Sequence, residues 1–308
     1  MILSAGMTPA WQQILVFDAF RYGEVNRARE VHWCSSGKVF NAGIGVQFLG
    51  GPSRVLSTVG GLVVPQIERE LDSLGVSYRW VPTRSDTRVC TTILDRASGT
   101  MTELVENGRP VTPAELDEFR TAYAEEAARA DAVILIGSLP SGTPESFYRE
   151  LMVRTPCPAV LDFRGEGLLS VLDLRPLLVK PNREELAKTM SAPLASDGDL
   201  LDAMRHLNRL GAQWVLVTQG PGPVFLTSAM RAYRLQPPTV RDVVNPIGSG
   251  DSIAATIAWA TRAGRPPLDA VRLGLAAAVQ NLRHLLPCRL DPSTLEAEAE
   301  AVDIEEVR

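Results

Sequence analysis

Histidine, cysteine and long apolar runs are scarce in this chain of 308 residues. The three histidines are scattered, and no two of them have the close spacing of a zinc site. The four cysteines form no C-x-x-C pair, which favours a reduced cytoplasmic protein over a disulfide-rich secreted one. No apolar run approaches the roughly 18 residues that cross a bilayer, and the N-terminus lacks the basic start and apolar core of a signal peptide. We therefore expect a cytoplasmic protein that does not enter the membrane.

The charge balance is mildly acidic, with a net charge of −5. Such a balance provides no broad attraction to nucleic acid or to an anionic membrane surface, so we expect neither as a partner. A hydrophobic content of 45% over this length is sufficient to bury a large core. We predict one domain spanning 1–308.

Apolar runs typical of buried strands alternate with helical patterns along most of the chain. Strands are predicted at 132–136, 158–162, 177–180 and 214–218, and helices at 144–154, 182–189 and 198–210. This alternation implies right-handed crossovers and a parallel sheet covered by helices on both faces. Ligands of such sheets bind at the carboxyl ends of the strands.

Two further β-rich segments, near 13–32 and 76–106, have no place in that alternation. We interpret them as the strands of a small lid. The charged tail at 296–308 is predicted to be a solvated helix.

The most informative stretch is VVNPIGSGDSIAATIA at 243–258, which predicts a loop that becomes a helix. The amides of Gly248, Ser249 and Gly250 would lie at the N-terminus of that helix, where unpaired amides and the helix dipole attract an anion such as a phosphoryl group. Asp251 would repel that anion. It therefore either caps the helix or accepts a proton from a reacting hydroxyl.

Several polar side chains near predicted strand ends or in the lid are candidates for ligand contacts. Lys38 follows a turn that lacks two positions of a P-loop, so it is either a contact to a substrate anion or a surface lysine. Asn41 lies one helical turn further on. Ser138 lacks the G-x-S-x-G frame of a hydrolase nucleophile and is interpreted as a ligand-binding hydroxyl. Arg88, in a predicted lid strand, either reaches over the pocket or is simply exposed.

The segment KPNREE at 180–185 also follows a strand. Asn182 and Glu185 are three residues apart and share one face of the helix predicted there. Their oxygen atoms suit Mg²⁺, commonly through intervening waters. The alternative is a capping box, with Asn182 as the N-cap and Glu185 as its partner.

These motifs, in this order, resemble the ribokinase-like phosphofructokinase B family of carbohydrate kinases, and within it the 1-phosphofructokinase and tagatose-6-phosphate kinase branch. The matching stretches are GEVNRA at 23–28, SGKVFN at 36–41, TRV at 87–89, IGSLPSG at 136–142, KPNREEL at 180–186 and VNPIGSGDS at 244–252. The resemblance implies a three-layer α/β/α sandwich with a mainly parallel central sheet, and a small β-sheet lid that pairs two subunits into a homodimer.

The resemblance also implies an ATP-dependent phosphotransferase that uses Mg²⁺. Asp251 would be the general base, and the amides of Gly248, Ser249 and Gly250 would stabilise the transferring phosphoryl group. The implied substrate-binding positions are Gln12, Gly37, Lys38, Asn41, Arg88 and Ser138. The implied nucleotide-binding positions are Lys180, Asn182, Glu185, Thr218, Gly220 and Gly222, with Asn182 and Glu185 placing Mg²⁺ through water.

Three positions depart from the family pattern. Gln12 stands where the family has a sugar-binding aspartate, Val39 stands where it has a glycine near the sugar, and Pro223 removes an amide near the nucleotide. The expected acceptor is a sugar phosphate of the fructose 1-phosphate, fructose 6-phosphate or tagatose 6-phosphate type. The alternatives are a non-catalytic sensor of sugar phosphate or nucleotide, and a kinase of an unphosphorylated sugar or nucleoside.

Overall fold

The structure, a computed structural model, describes residues 1–307 and contains one sheet of ten strands and one of four. The strands are β1 (Ile2–Gly6), β2 (Ala10–Phe17), β3 (Glu30–Ser36), β4 (Ser53–Val59), β5 (Ser77–Pro82), β6 (Arg88–Asp95), β7 (Thr100–Val105), β8 (Ala132–Ile136), β9 (Ala159–Asp162), β10 (Leu178–Val179), β11 (Trp214–Val217), β12 (Val224–Thr227), β13 (Ala232–Gln236) and β14 (Asp303–Val307). The helices are α1 (Lys38–Phe48), α2 (Val64–Ser73), α3 (Pro113–Ala127), α4 (Phe147–Met152), α5 (Glu166–Leu169), α6 (Arg183–Met190), α7 (Asp197–Leu210), α8 (Ser249–Arg262), α9 (Pro267–Leu282) and α10 (Pro292–Glu300), with a 3₁₀ turn at Leu172–Leu174.

The large sheet has the order β14-β13-β12-β11-β10-β9-β8-β1-β4-β5. The seven strands from β11 to β5 run parallel, and β12, β13 and β14 continue the sheet antiparallel. Helices cover both faces, which makes three layers. The predicted fold class, an α/β sandwich with a mainly parallel sheet and a smaller second sheet, is confirmed.

Residues that alternate along the strands enter two separate cores. Ile2 and Ile134 pack into the core that includes α1, α8 and α9, whereas Leu3 and Val133 pack into the core that includes α3 and α7. All four side chains are fully buried. Strands buried on both faces are apolar at every position, which is why these segments read as continuous apolar runs.

One predicted strand lies in a different sheet from the one expected, and one predicted helix is wrong over part of its length. The strand predicted at the start of the 76–106 lid segment is β5, which pairs with β4 at the edge of the large sheet. The tail at 296–308 is not one solvated helix, because α10 ends at Glu300 and β14 then pairs antiparallel with β13. An edge strand needs apolar side chains on only one face, so a segment rich in charged residues can still form such a strand.

The small sheet has the order β3-β2-β6-β7. One face carries Ile14, Val16 and Leu94, which pack against Leu285 and Leu286 in the loop after α9. This contact places the small sheet beside the C-terminal helices. Nowhere in residues 1–307 is there a helix long and apolar enough to cross a membrane.

Candidate active site

Asp251 lies in the first turn of α8 and is only 6% exposed. Its Oδ2 accepts a hydrogen bond of 2.8 Å from Asn41 Nδ2, on α1, and Asn41 Oδ1 in turn accepts one of 3.2 Å from the Ser36 hydroxyl. Burial is the main cause that raises the pKa of Asp251 to about 6, against the lowering effect of Lys38 and of the Asn41 hydrogen bond. The Asp251 carboxylate is therefore held in one orientation, and its pKa lies close to neutral pH.

A buried carboxylate between two ammonium groups lies beside Asp251. Asp162, at the end of β9 and 1% exposed, has Oδ1 2.8 Å from Lys38 Nζ and Oδ2 2.9 Å from Lys180 Nζ. Burial alone would raise the pKa of Asp162, but Lys180 and Lys38 hold it below its ordinary value. Burial would lower the pKa of Lys38, yet Asp162, Glu185 and Asp251 together raise it. Asp162 and Lys38 are therefore both charged at neutral pH.

A buried asparagine, Asn281, fixes the loop before α8 by hydrogen bonds. Asn281 Nδ2 donates to the Ile247 carbonyl at 2.9 Å, and its Oδ1 accepts from the Cys288 amide at 2.7 Å. Gly248 has φ of +87°, and a Cβ at this position would lie 2.7 Å from Pro287 Cβ, so only glycine fits here.

The amides of this loop differ in their availability. The Ser249 amide donates to the Pro246 carbonyl at 3.3 Å, so it is already paired. Within residues 1–307 no acceptor takes the amides of Gly248, Gly250 or Asp251. These are the unpaired donors that a helix N-terminus presents to an anion.

Asn182 and Glu185 form the capping box that was one of the two alternatives. Asn182 Oδ1 accepts from the Glu185 amide at 2.8 Å, and Glu185 Oε2 accepts from the Asn182 amide at 3.0 Å. Glu185 Oε1 is directed the other way, 3.8 Å from Lys38 Nζ. Capping thus orients Glu185 without using both of its oxygens.

A polar cleft of about 430 Å³ brings several predicted substrate positions together. Lys38, Arg88, Ser138 and Glu185 line it. The Arg88 guanidinium also donates to three backbone carbonyls, those of Thr8, Pro9 and Glu106, at 3.0 to 3.2 Å. Arg88 therefore ties the small sheet to the loop after β1 as well as facing the cleft.

An apolar pocket of about 460 Å³ lies on the other side of the α8 N-terminus. Its walls include Val224, Pro237, Val240, Ile253, Leu275 and Val279, and its rim includes Ser249 and Gly250. Thr218 and Gly220, two predicted nucleotide positions, line this pocket, whereas Gly222 does not, and its amide donates to the Gln219 carbonyl at 3.2 Å. Lys180 Nζ would lie 3.2 Å from a Cβ at Gly250, so glycine at 250 leaves room for this ammonium.

The remaining predicted substrate positions lie at the base of the small sheet. Gln12 is 2% exposed and donates to the Thr92 hydroxyl at 2.7 Å, so its amide is held within that sheet. Gly37 has φ of +78° and approaches the backbone of Thr8 and Ala10 closely. Val39 is 2% exposed, and its side chain packs into the core.

Asp162 is the residue that the sequence analysis missed. The available signal was a single aspartate ending an otherwise apolar strand, AVLD, at the edge where ligands of a parallel sheet bind. Its two lysine partners are separated from it by 124 and 18 residues, a pairing that local patterns do not reveal.

Comparison with known proteins agrees with this fold. The family model described as pfkB family carbohydrate kinase matches residues 10–292. The match spans most of the chain, so the protein belongs to the pfkB family of carbohydrate kinases and is a kinase.

Solved structures show the same fold at low identity. A chain from Thermotoga maritima described as a possible 1-phosphofructokinase has a TM-score of 0.90 and 21% identity, covering 100% of this chain and 99% of that chain. Phosphofructokinase-2 from Escherichia coli in complex with fructose-6-phosphate has a TM-score of 0.85 and 21% identity, covering 97% and 99%. The tetrameric inhibited form of the same enzyme has a TM-score of 0.87 and 22% identity, with the same coverage.

Replacing Asp162 by asparagine should destabilise the fold by about 3 kcal/mol, because the two lysines then lose the charge that compensates them in a largely buried site. The matched control is Asp173→Asn, which weakens an exposed pair with Arg149 and should cost far less, because water screens that pair. Urea unfolding measures both free energies. Equal losses in the two variants would show that the Asp162 pairs contribute no more than surface pairs.

Proposed function

We propose that this kinase transfers the γ-phosphoryl group of ATP to a hydroxyl of a sugar phosphate, with Asp251 as the general base. The observation that carries the proposal is the position of Asp251. It is a buried carboxylate, oriented by Asn41, with a pKa of about 6 and next to amides that have no acceptor in the protein. A group in that range is partly deprotonated at neutral pH and still basic enough to take a proton.

The reaction follows from this arrangement. Asp251 accepts the proton of the acceptor hydroxyl while the oxygen of that hydroxyl bonds to the γ-phosphorus. At the same time the bond between the γ-phosphorus and the oxygen that bridges it to the β-phosphorus breaks, which releases ADP. The amides of Gly248 and Gly250 donate to the equatorial oxygens of the transferring group. Lys180, beside Gly250, offsets the negative charge that develops there. The Ser249 amide already donates a hydrogen bond to the Pro246 carbonyl, so it does not bind the transferring group.

The apolar pocket fits the base of a nucleotide, because its walls are apolar and its rim includes the first residues of α8. A base in this pocket would direct its phosphates towards Lys180 and Gly250, with Thr218 and Gly220 along one wall. Stacking on apolar side chains provides binding without charge.

The donor set fits Mg²⁺ held through water and phosphate and does not fit a direct protein cage. No three His, Cys, Asp or Glu side chains in the described part of the chain form a metal cluster. Glu185 has one oxygen free of the capping box and would bind the metal's waters, while Asn182 orients Glu185. Mg²⁺ would supply charge neutralisation on the nucleotide phosphates.

The polar cleft favours an acceptor that already carries a phosphate. Lys38, Arg88 and Ser138 line it, and a dianion needs cations that a neutral sugar does not. The Escherichia coli structure in complex with fructose-6-phosphate supports this choice by similarity of fold. Fructose 1-phosphate, fructose 6-phosphate and tagatose 6-phosphate are the candidates.

The test is ADP release with Mg-ATP across those three sugar phosphates, with fructose and ribose as unphosphorylated comparisons. We expect turnover on at least one sugar phosphate and a loss of at least about 100-fold in kcat for Asp251→Asn, which removes the proton acceptor but keeps the acceptor atom for Asn41. A second control, Asp173→Asn, should leave kcat unchanged. Turnover by Asp251→Asn close to the wild-type rate would rule out the base.

The dependence of kcat/KM on pH should show an acidic limb near pH 6. Asp251 must be deprotonated to act, so activity rises with pH through its pKa of about 6. A sugar phosphate ionises in the same range, so the limb alone does not identify the group. Asn41→Ala removes a hydrogen bond that lowers the pKa of Asp251, and the limb should move to higher pH in this variant. An unmoved limb would assign the ionisation to the substrate.

A homodimer through the small sheet is also proposed. Its outer face exposes Val31, Trp33 and Leu104, 45% to 55% exposed, and Trp33 stacks on Trp11. Exposed apolar side chains gathered on one sheet face favour a second protein surface. The tetramer among the similar structures supports association in this fold without specifying its stoichiometry here.

Sedimentation should show a dimer for the wild type and a monomer for Leu104→Arg, because a charge at the centre of an apolar contact has no partner there. Met230→Arg is the matched control, since Met230 is 89% exposed on the turn between β12 and β13. A monomeric wild type, or a Leu104→Arg variant that remains dimeric, would contradict this interface.

A further inference from the structure

Arg164 is a further cation in the wall of the polar cleft, and it takes no part in the reaction proposed above. It follows Asp162 and Phe163 beyond the end of β9 and lines the cleft together with Lys38 and Arg88. Its side chain is exposed, and no hydrogen bond or ion pair within residues 1–307 involves its guanidinium. Lys188 and, more weakly, Arg164 lower the pKa of Glu184, which is already paired with Lys188. An exposed arginine with no protein partner is ordinarily solvated, so its surroundings decide whether it has a role.

The backbone on both sides of Arg164 is fixed. Phe163 is 6% exposed and stacks on Tyr148, with ring centroids 3.7 Å apart and planes 3° from parallel. The Tyr148 hydroxyl donates to the Gly137 carbonyl, next to Ser138. On the other side, the Gly165 amide donates to the Thr189 hydroxyl at 2.9 Å. The side chain therefore projects from a rigid base at the cleft while its charged end remains free.

The other two cations of the cleft are already engaged. Lys38 Nζ lies 2.8 Å from Asp162 and 3.8 Å from Glu185, so its charge is largely compensated. Arg88 donates to three backbone carbonyls. Arg164 alone among the three keeps all of its donors, and a guanidinium can bind two oxygens of one phosphate at once.

We propose that Arg164 binds the phosphoryl group that the acceptor already carries, and that it thereby selects phosphorylated over unphosphorylated acceptors. This inference rests on the proposed function and deepens it. Arg164 lines the polar cleft proposed for the acceptor, and it does not line the apolar pocket proposed for the nucleotide. Its effect should therefore fall on the acceptor and leave ATP binding unchanged.

The kinetic test compares Arg164→Ala and Arg164→Lys with the wild type. The alanine variant should raise KM for the sugar phosphate by about 10- to 100-fold, the effect of losing hydrogen bonds to a charged group. Its kcat and its KM for ATP should stay within about threefold of the wild type. Lysine should restore part of the loss, as a point charge without the bidentate geometry. Arg129→Ala, another exposed arginine but outside the cleft, should change none of these values.

Selectivity is the second readout. For Arg164→Ala, the ratio of kcat/KM between a sugar phosphate and the corresponding unphosphorylated sugar should fall by the same factor as KM rises. An unchanged KM for the sugar phosphate, or a defect confined to KM for ATP, would overturn the inference even if the kinase activity is as proposed.

Binding separates this inference from the reaction itself. Thermal shift with fructose 1-phosphate, fructose 6-phosphate, tagatose 6-phosphate and inorganic phosphate needs no turnover. A stabilisation of the wild type that Arg164→Ala loses and Arg129→Ala keeps supports the inference, even where no sugar phosphate is turned over and the proposed reaction fails. Equal stabilisation of the wild type and Arg164→Ala, or none for the wild type, overturns it.

Discussion

The contact of Asp162 with Lys38 and Lys180 is the interaction on which the rest of the site depends. Its three members come from the end of β9, the start of α1 and the segment after β10, so one buried carboxylate joins three elements. Lys38 and Lys180 lower the pKa of Asp251 and so oppose the effect of its burial, whereas Asp162 raises that pKa. The same contact holds Lys180 beside Gly250.

This arrangement divides the work of recognition between two cavities of different character. The apolar pocket has few polar groups and gains its binding from contact area, whereas the cleft has charged groups at several points of its wall. Lys38 lines the cleft and Gly250 lines the apolar pocket. Asp162 contacts Lys38 with one oxygen and Lys180, beside Gly250, with the other, so one chain of contacts joins the walls of the two cavities.

Much of the fold and part of the site could be predicted from the sequence. The loop and helix at 243–258, the strand ends at 136 and 180 and the helix start at Asn182 carry local signals, and the structure has α8, β8, β10 and α6 at these places. Asp162 carries only a weak signal, because its importance arises from lysines that the fold brings to it. The edge strands β5 and β14 were misassigned because pairing partners, which a local pattern does not specify, decide where a strand lies.

The hydrogen bond between Asn41 and Asp251 joins residues separated by 210 positions. Asn41 belongs to α1, the first helix of the chain, and Asp251 to α8, which packs against α1 in the same core. Contacts of such long range form late in folding, since their loop-closure entropy must be offset first. During synthesis the chain therefore cannot bring Asn41 and Asp251 together until α8 has emerged and folded.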